Sequence, residues 1–583
     1  MSAISGLRIF AVAVLCLQVF AFGCGQLEQP KTEPYYAETT PPRKQEFRWS
    51  NGKAPKSLDP AFAAAPPETD LIRAVFEGLT ELNPETLEAM PAAAEKWMST
   101  DDNKTWTFHI RADARWANGE PLTAEDFVRS WKRLGELGEK AAHPDLLKNI
   151  VGFPIETEKV EPPVVDILPS TEVTPPPIGH SSGSTNTNSN SNVARKGPAP
   201  EVFGVTADDT RTLKVILIAG DKDFPKLVAH PMFRPVYGDG RDLAAVSTDA
   251  VTNGMFNVSA VDPGGITLER SRTHWNRDSV KLERVRFVSS ENAEQALAAY
   301  KSGEIDAVTN VSFEPLALKL LEPFDDFRRD THAAINFYEV NHGKPPFSDR
   351  RIREALAISI ERERLTDGEM EGQTQPALSF LPFSRNPRAA IVQDKERARD
   401  LLEEAGFPGG NNFPVVRLVI NRNDTQHRVA RAIARMWKQN LNIETEIVIK
   451  DNADLDAARS AGDFDLIRRN IVFPTADELM SILAILEPPK PAEPLTSVGA
   501  GAAGADFDDA RPVTARPNDA RDQAQQADVT PSEADAVYEL WAVPLYFPTS
   551  YSLVKPYVSG FETNSLDAPV LQNVSINSDW QPK

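Results

Sequence analysis

Residues 97–134 read WMSTDDNKTWTFHIRADARWANGEPLTAEDFVRSWKRL. Asp101, Asp102 and Asn103 form a polar turn, and the residues that follow predict a strand over 106–110 with side chains alternating between faces. Asn118-Gly119 marks a second turn, and Pro121 leads into an amphipathic helix opening at Thr123. Thr123 suits an N-cap, with Glu125 and Asp126 in the first turn, where the helix dipole favours negative charge. Trp106, Trp116 and Trp131 could offer a stacking platform to a sugar or a base. Spread over a strand, a turn and a helix, they are expected instead to fill a core, as large aromatics do. None of these side chains is arranged for chemistry.

The rest of the chain bounds the answer. At 583 residues it is too long for one core, so two or more lobes are expected. A net charge of −21 argues against nucleic acid or an anionic membrane surface as partner, since both need a basic face; the acidity is read as keeping an exported protein soluble. Both cysteines, Cys16 and Cys24, lie in the N-terminal hydrophobic stretch, which leaves no disulfide framework and no thiolate chemistry beyond it. The apolar run 9–22 follows Arg8, is short for a membrane span and has the layout of a secretory signal.

Two segments read as inserted or disordered. Residues 154–200 are Pro-rich and then, from 181 to 192, contain only Ser, Thr, Asn and Gly; residues 487–532 are rich in Pro, Ala and Asp. The first holds Gly179-His180-Ser181-Ser182-Gly183, which fits G-x-S-x-G, but no strand and helix flank it there, so the match is taken as chance. Elsewhere strands and helices alternate. The expected strands 285–288 and 305–308 enclose a helix over 291–301, and 415–420 and 443–449 enclose a helix with Val429, Ile433, Met436 and Trp437 on its apolar face. Both are β-α-β units, which require parallel pairing, and two of them far apart suggest two α/β lobes.

The opening stretch, with its W, D/N turn, WTFHIR, W-x-N-G-x-P-L-T-A-x-D-F and closing SW, resembles the signature of the peptide-binding family of ABC-importer solute receptors. The resemblance continues through SLDPAF (57–62), AVFEGLTEL (74–82), VTNGMFNVSA (251–260), LERSRTHW (268–275), YKSGEIDAVTN (300–310), the run 339–363, LLEEAGFP (401–408) and the run 543–561. It implies an α/β, two-lobed periplasmic-binding-protein fold of type II, in its large three-domain variant, with a hinge and a central cleft. The organisation expected is a signal peptide at 1–23 and a lipidated tether at 24–45. Lobe I would comprise 46–82, 230–313 and 552–583, a small subdomain 83–229, and lobe II 314–551. Ala21-Phe22-Gly23-Cys24 resembles the lipobox of bacterial lipoproteins, with Ala21 where leucine is usual, so Cys24 would carry the lipid; if it is a passive hydrophobe, the protein is free in the periplasm.

The resemblance also implies a ligand held as an added strand between the lobes, mainly through its backbone. The family's pairing strand follows F-D-x-x-R, here Phe464 to Arg468, which points to Asn470, Ile471 and Val472, with Ala64 and Ala65 in the opposing loop. An aspartate for the peptide ammonium is missing: its place falls at Phe473 or Pro474, and the nearest acid is Asp477. Burying an ammonium without a countercharge costs several kcal/mol. Arg468, Arg459 and His427 stand at carboxylate-binding positions, the arginines being suited to bidentate contact. Arg459 could equally oppose a helix dipole, and His427 could sit on a solvated face.

The leading reading is therefore a lipid-anchored, monomeric receptor that hands peptide-like solutes to an inner-membrane ABC permease, without catalysis and without a cofactor. The alternative is a receptor-derived envelope sensor or interaction protein that has lost transport. An enzyme is disfavoured: the eight histidines are scattered and H-E-x-x-H is absent. With no histidine pair at ligand spacing, direct metal coordination is not expected.

Overall fold

The computed structural model describes residues 34–36, 40–100, 102–153, 203–384, 386, 389–486 and 531–581. The apolar run, Cys24, the insert 154–200 and nearly all of 487–532 lie outside the described residues.

The opening stretch folds as its chemistry dictates. Thr105–Ile110 is a strand and Ala124–Leu137 a helix, and Asp126 Oδ2 accepts from both the Thr123 backbone N–H (2.8 Å) and its hydroxyl (2.9 Å). The strand lies in a four-stranded antiparallel sheet ordered Ala94–Thr100, Thr105–Ile110, Thr212–Ile216, Val205–Asp209. Trp106, Trp116 and Trp131 are all buried in one core, and Trp131 Nε1 donates to Phe233 O at 2.8 Å. The core reading of the tryptophans holds, and the stacking platform does not.

A twelve-stranded mixed sheet runs through both lobes. Ten of its strands run in the order Thr445–Lys450, Val416–Asn421, Leu466–Val472, Ala334–Val340, Ala542–Val554, Ala307–Val308, Glu46–Ser50, Arg284–Val288, Gly265–Arg270, Phe256–Asp262, and the other two, Phe327–Thr331 and Thr374–Pro376, pair with Ala542–Val554 off this path. Both expected β-α-β units are present. Val416–Asn421 pairs in parallel with Thr445–Lys450 across the helix Asp424–Leu441, which buries Val429, Ile433, Met436 and Trp437. Arg284–Val288 and Ala307–Val308 each pair in parallel with Glu46–Ser50, which lies between them.

The long strand Ala542–Val554 links the two halves, pairing with Ala334–Val340 and Thr374–Pro376 near its start and with Phe327–Thr331 and Ala307–Val308 near its end. A second link is the helix Glu478–Leu486. Its Met480 belongs to the core around Trp49 and Trp131, while Ile482 and Ile485 belong to the core around Phe337 and Phe380.

The signature fragments clamp onto one another. Asp59 accepts from Arg133 (NH1 at 3.0 Å) and from Ala61 N–H at 3.1 Å, fixing the turn that leads into 60–66. Glu77 accepts from Asn253 through its carbonyl (2.9 Å) and holds His274 (3.1 Å) and Trp275 (2.9 Å) with its carboxylate. Gly254 packs so closely on the end of the helix Glu68–Val75 that a Cβ would lie 2.4 Å from the Val75 carbonyl carbon.

Candidate ligand-binding site

In the sheet order, Leu466–Val472 lies between Val416–Asn421 and Ala334–Val340, but the first of these neighbours covers only Leu466 and Ile467. Beyond Ile467 one edge of the strand is left without a partner among the described residues. Which peptide groups face that edge follows from the other side. Phe473 N–H donates to Ala333 O (2.7 Å), and Asn341 N–H donates to Asp465 O (2.9 Å), on either end of a continuous antiparallel register. Bonding direction alternates along an antiparallel pair, so Ile471 shares the orientation of Phe473 and Asp465, while Asn470 and Val472 turn their N–H and C=O outward. Of the three residues expected from sequence, Asn470 and Val472 therefore present main-chain groups. The main-chain groups of Ile471 are directed at Ile335. Asn470 is exposed, and Val472 is 58% exposed.

The loop with Ala64 and Ala65 is exposed and held from behind. Ala64 O accepts from His143 Nε2 (2.8 Å), Ala65 O from Thr69 N–H (3.2 Å) and Pro66 O from Asn310 Nδ2 (3.1 Å). The carbonyls are engaged internally, so the loop is left to offer N–H donors.

The two candidate arginines separate. Arg459, in the last turn of the helix Asn452–Ser460, donates to Glu339 Oε2 at 2.7 Å, and Arg469 joins the same carboxylate at 3.0 Å. Arg468 has no carboxylate partner among the described residues; its NH2 donates to Asn336 Oδ1 at 2.6 Å, and its Nε is buried without a partner. Burial pulls its pKa down, and the flanking Tyr546 and Tyr338 offset this in part. His427 is half-buried on its helix, with no hydrogen bond to its ring among the described residues.

Around Arg468 lies a polar patch that the sequence reading missed. In register, Arg468 stands opposite Tyr338, and Asn336 stands opposite both Asn470 and Tyr546, so the five side chains share one face of three adjacent strands. Tyr338 and Tyr546 are buried; the Tyr338 hydroxyl has no partner among the described residues, while Gln426 donates to Tyr546 Oη at 2.8 Å. The signal available in sequence was Asn336 in the middle of the apolar run AINFYEV, with Tyr338 two residues on.

The acids flanking the strand are occupied. Asp477 is fully buried and directed at Asp221, capping Met480 N–H at 2.7 Å, and so is withdrawn from the ligand edge. Glu478 holds Lys222, Asp463 holds Arg417, and Asp465 accepts from the Arg417 N–H at 2.9 Å. A separate groove of about 530 Å³, lined by Glu46, Glu269, Arg272 and Arg284, lies on strands at the opposite end of the sheet order and is walled by ion pairs such as Arg284–Glu269 (3.2 Å).

The chain is 27% identical to the periplasmic oligopeptide-binding protein OppA of Escherichia coli K12, over 93% of this chain and 94% of that one. Its fold overlays with a TM-score of 0.70 on the murein tripeptide-binding protein MppA in its unliganded open form, at 24% identity, covering 92% of this chain and 98% of that one. On Haemophilus influenzae OppA in complex with the peptide RPPGFSPFR the score is 0.55, at 24% identity and 92% and 99% coverage. The model of the bacterial extracellular solute-binding proteins, family 5, matches residues 88–489, more than half of the chain, and the protein belongs to that family.

Proposed function

We propose that the protein is the extracytoplasmic receptor of an ABC importer, which binds a peptide-like solute between its lobes and delivers it to a membrane permease. The observation that carries this is the open edge of Leu466–Val472, with Asn470 and Val472 turned outward: an extended peptide is the natural partner of such an edge. Exposed Val472 and Phe62, the latter beside the Ala64–Ala65 loop, suit apolar side chains on the ligand. Kinship with an oligopeptide-binding protein supports the same reading and gives no footing to a sensor that has lost transport. As a solute-binding receptor the protein would carry no catalytic step. Lobe I is taken as 46–82, 230–313 and 552–583, the subdomain as 83–229 and lobe II as 314–551.

Native mass spectrometry of the purified protein tests the reading. Co-purifying peptides of mixed sequence and narrow length are expected. A ligand-free mass, with no thermal shift across di- to pentapeptides, would overturn it. We further propose that the receptor is monomeric and held at the membrane by lipid on Cys24. Cys24→Ser is expected to move it to the soluble fraction, and continued membrane association would remove the anchor.

A further inference from the structure

Pro34, Tyr35 and Tyr36 are clasped to the body of the protein well ahead of its first strand, Glu46–Ser50. Pro34 O accepts from Asp325 N–H at 2.8 Å, and Tyr36 N–H donates to Asp326 Oδ1 at 3.0 Å. Asp326 is fixed in turn by the Tyr300 hydroxyl at 2.7 Å. The Tyr36 ring stacks on Tyr300 and meets Phe324 edge-on, with centroids 6.5 and 5.4 Å away, and Tyr35 meets Trp580 edge-on at 5.7 Å. Just before Phe324 runs the short helix Pro315–Leu321. It buries Leu318 and Leu321 in the core that Tyr36 packs against, but leaves Leu316 and Leu320 70% and 63% exposed. Four residues apart, these two side chains lie on one face of the helix. The charges beside them are neutralised, Lys319 by Glu371 and Glu322 by Arg329, both at 2.7 Å.

On the reading that Cys24 carries lipid, the clasp decides which side of the protein meets the membrane. Ten residues lead from Cys24 to Pro34, against 22 from Cys24 to Glu46. Fully extended, the shorter leash reaches about 35 Å and the longer about 75 Å. A body of this chain length is roughly 60 Å across, so only the shorter leash keeps one side down. We propose that Leu316 and Leu320 rest on the bilayer surface, held there by the Pro34–Tyr36 clasp, and that this surface is zwitterionic. The net charge of −21 opposes anionic lipid, and the paired charges beside the leucines offer it no attraction. Two leucines hold no free protein at a membrane, but they orient one that lipid has already brought there.

Fluorescence of the full lipidated protein in phosphatidylcholine vesicles tests this. Cys16 and Cys24 are the only cysteines of the chain, so a cysteine placed beyond them takes a single environment-sensitive label. Labels at Leu316→Cys and Leu320→Cys are expected to shift to the blue on anchoring and to be quenched by lipid with a nitroxide high on its acyl chain. Labels at two other exposed apolar positions, Met98→Cys and Val392→Cys, are expected to do neither. Tyr36→Ala should lose the shift at 316 while the protein still floats with the vesicles; a shift retained would overturn the role of the clasp. Vesicles containing phosphatidylglycerol should weaken the shift, and a stronger one would overturn the choice of a zwitterionic surface. Equal quenching at all four positions, or none at 316 and 320 in protein that floats, overturns the inference and leaves the lipid anchor intact. A blue shift present before vesicles are added gives the leucines to the protein itself and overturns it too. Protein that does not float overturns the anchor, and the inference with it.

Discussion

Replacing Asp306 with alanine is expected to lower the thermal unfolding midpoint by on the order of 10 °C. The Asp306 side chain is fully buried and accepts from the Arg48 backbone N–H (2.7 Å), Arg48 Nε (3.1 Å), Arg48 NH2 (2.6 Å) and the Tyr557 hydroxyl (2.7 Å). One carboxylate thereby ties the first strand of the sheet, its own segment ahead of Ala307–Val308, and the C-terminal return. Lys555 lies in the same cluster: its N–H donates to Asp306 O at 2.9 Å, and burial pushes its ammonium down to about 8 against the pull of Asp326 and Asp306. Breaking a buried ion pair from one side costs roughly 3–5 kcal/mol, because the partner charge is stranded, and each kcal/mol moves the midpoint of a lobe-sized unit by about 2–4 °C. Asp306→Asn, which keeps an acceptor but not the charge, should fall between. Melts followed by circular dichroism check both. A shift under about 2 °C for the alanine variant would mean that the three segments are held by packing alone.

That cluster also explains why the family was legible in the sequence while the ligand was not. The fragments that carry the resemblance meet in the fold. Asp59 of SLDPAF reaches Arg133 of the opening stretch; Glu77 of AVFEGLTEL reaches Asn253 and Trp275; Asp306 of YKSGEIDAVTN reaches Tyr557 near the chain end. These are scaffold contacts, and their residue types are dictated by burial and hydrogen bonding. The periodicities were local and equally readable, since an N-cap at Thr123 or an apolar stripe at Val429, Ile433, Met436 and Trp437 needs no knowledge of distant residues.

The site depends on pairings that local reading cannot see. Arg459 and Arg468 looked alike as candidate carboxylate binders, and only the presence of Glu339 across the sheet separates them. Ile471 and its neighbours looked alike until the register assigned each its bonding direction. Asp477 was the nearest acid along the chain, yet its surroundings come from Asp221 in another part of the fold.

For that pair, Asp221→Asn is expected to flatten the dependence of stability on pH. Both carboxyls are buried. Their Oδ1 atoms accept from Asp223 N–H (2.8 Å) and Met480 N–H (2.7 Å), while each Oδ2 has no partner among the described residues that could donate to it. Two carboxylates set against each other are satisfied only if one keeps a proton and donates it. Burial pushes both up, Asp477 furthest, and the charge of Asp221 adds to the effect there. The neighbouring cations are engaged elsewhere, Lys222 on Glu478 and Lys226 on Asp223 (3.1 Å) and Glu88 (3.2 Å). The unfolded chain releases these protons near pH 4, and the folded chain holds at least one above it. Stability from the pair is thus complete below about pH 4 and is lost as pH rises through the folded value, with a slope of about 1.4 kcal/mol per pH unit for each retained proton. An asparagine at 221 supplies a permanent N–H donor, so the slope should shrink by about that amount. Asp477→Asn should do the same, since asparagine caps the Met480 N–H as well as aspartate does. Urea midpoints between pH 5 and 8 measure the effect, and curves parallel to wild type for both variants would mean that no proton is shared. The pair stands at the start of Glu478–Leu486, the helix whose Met480 and Ile482 lie in different cores, so its ionisation would loosen the joint between the two halves of the receptor before either core unfolds.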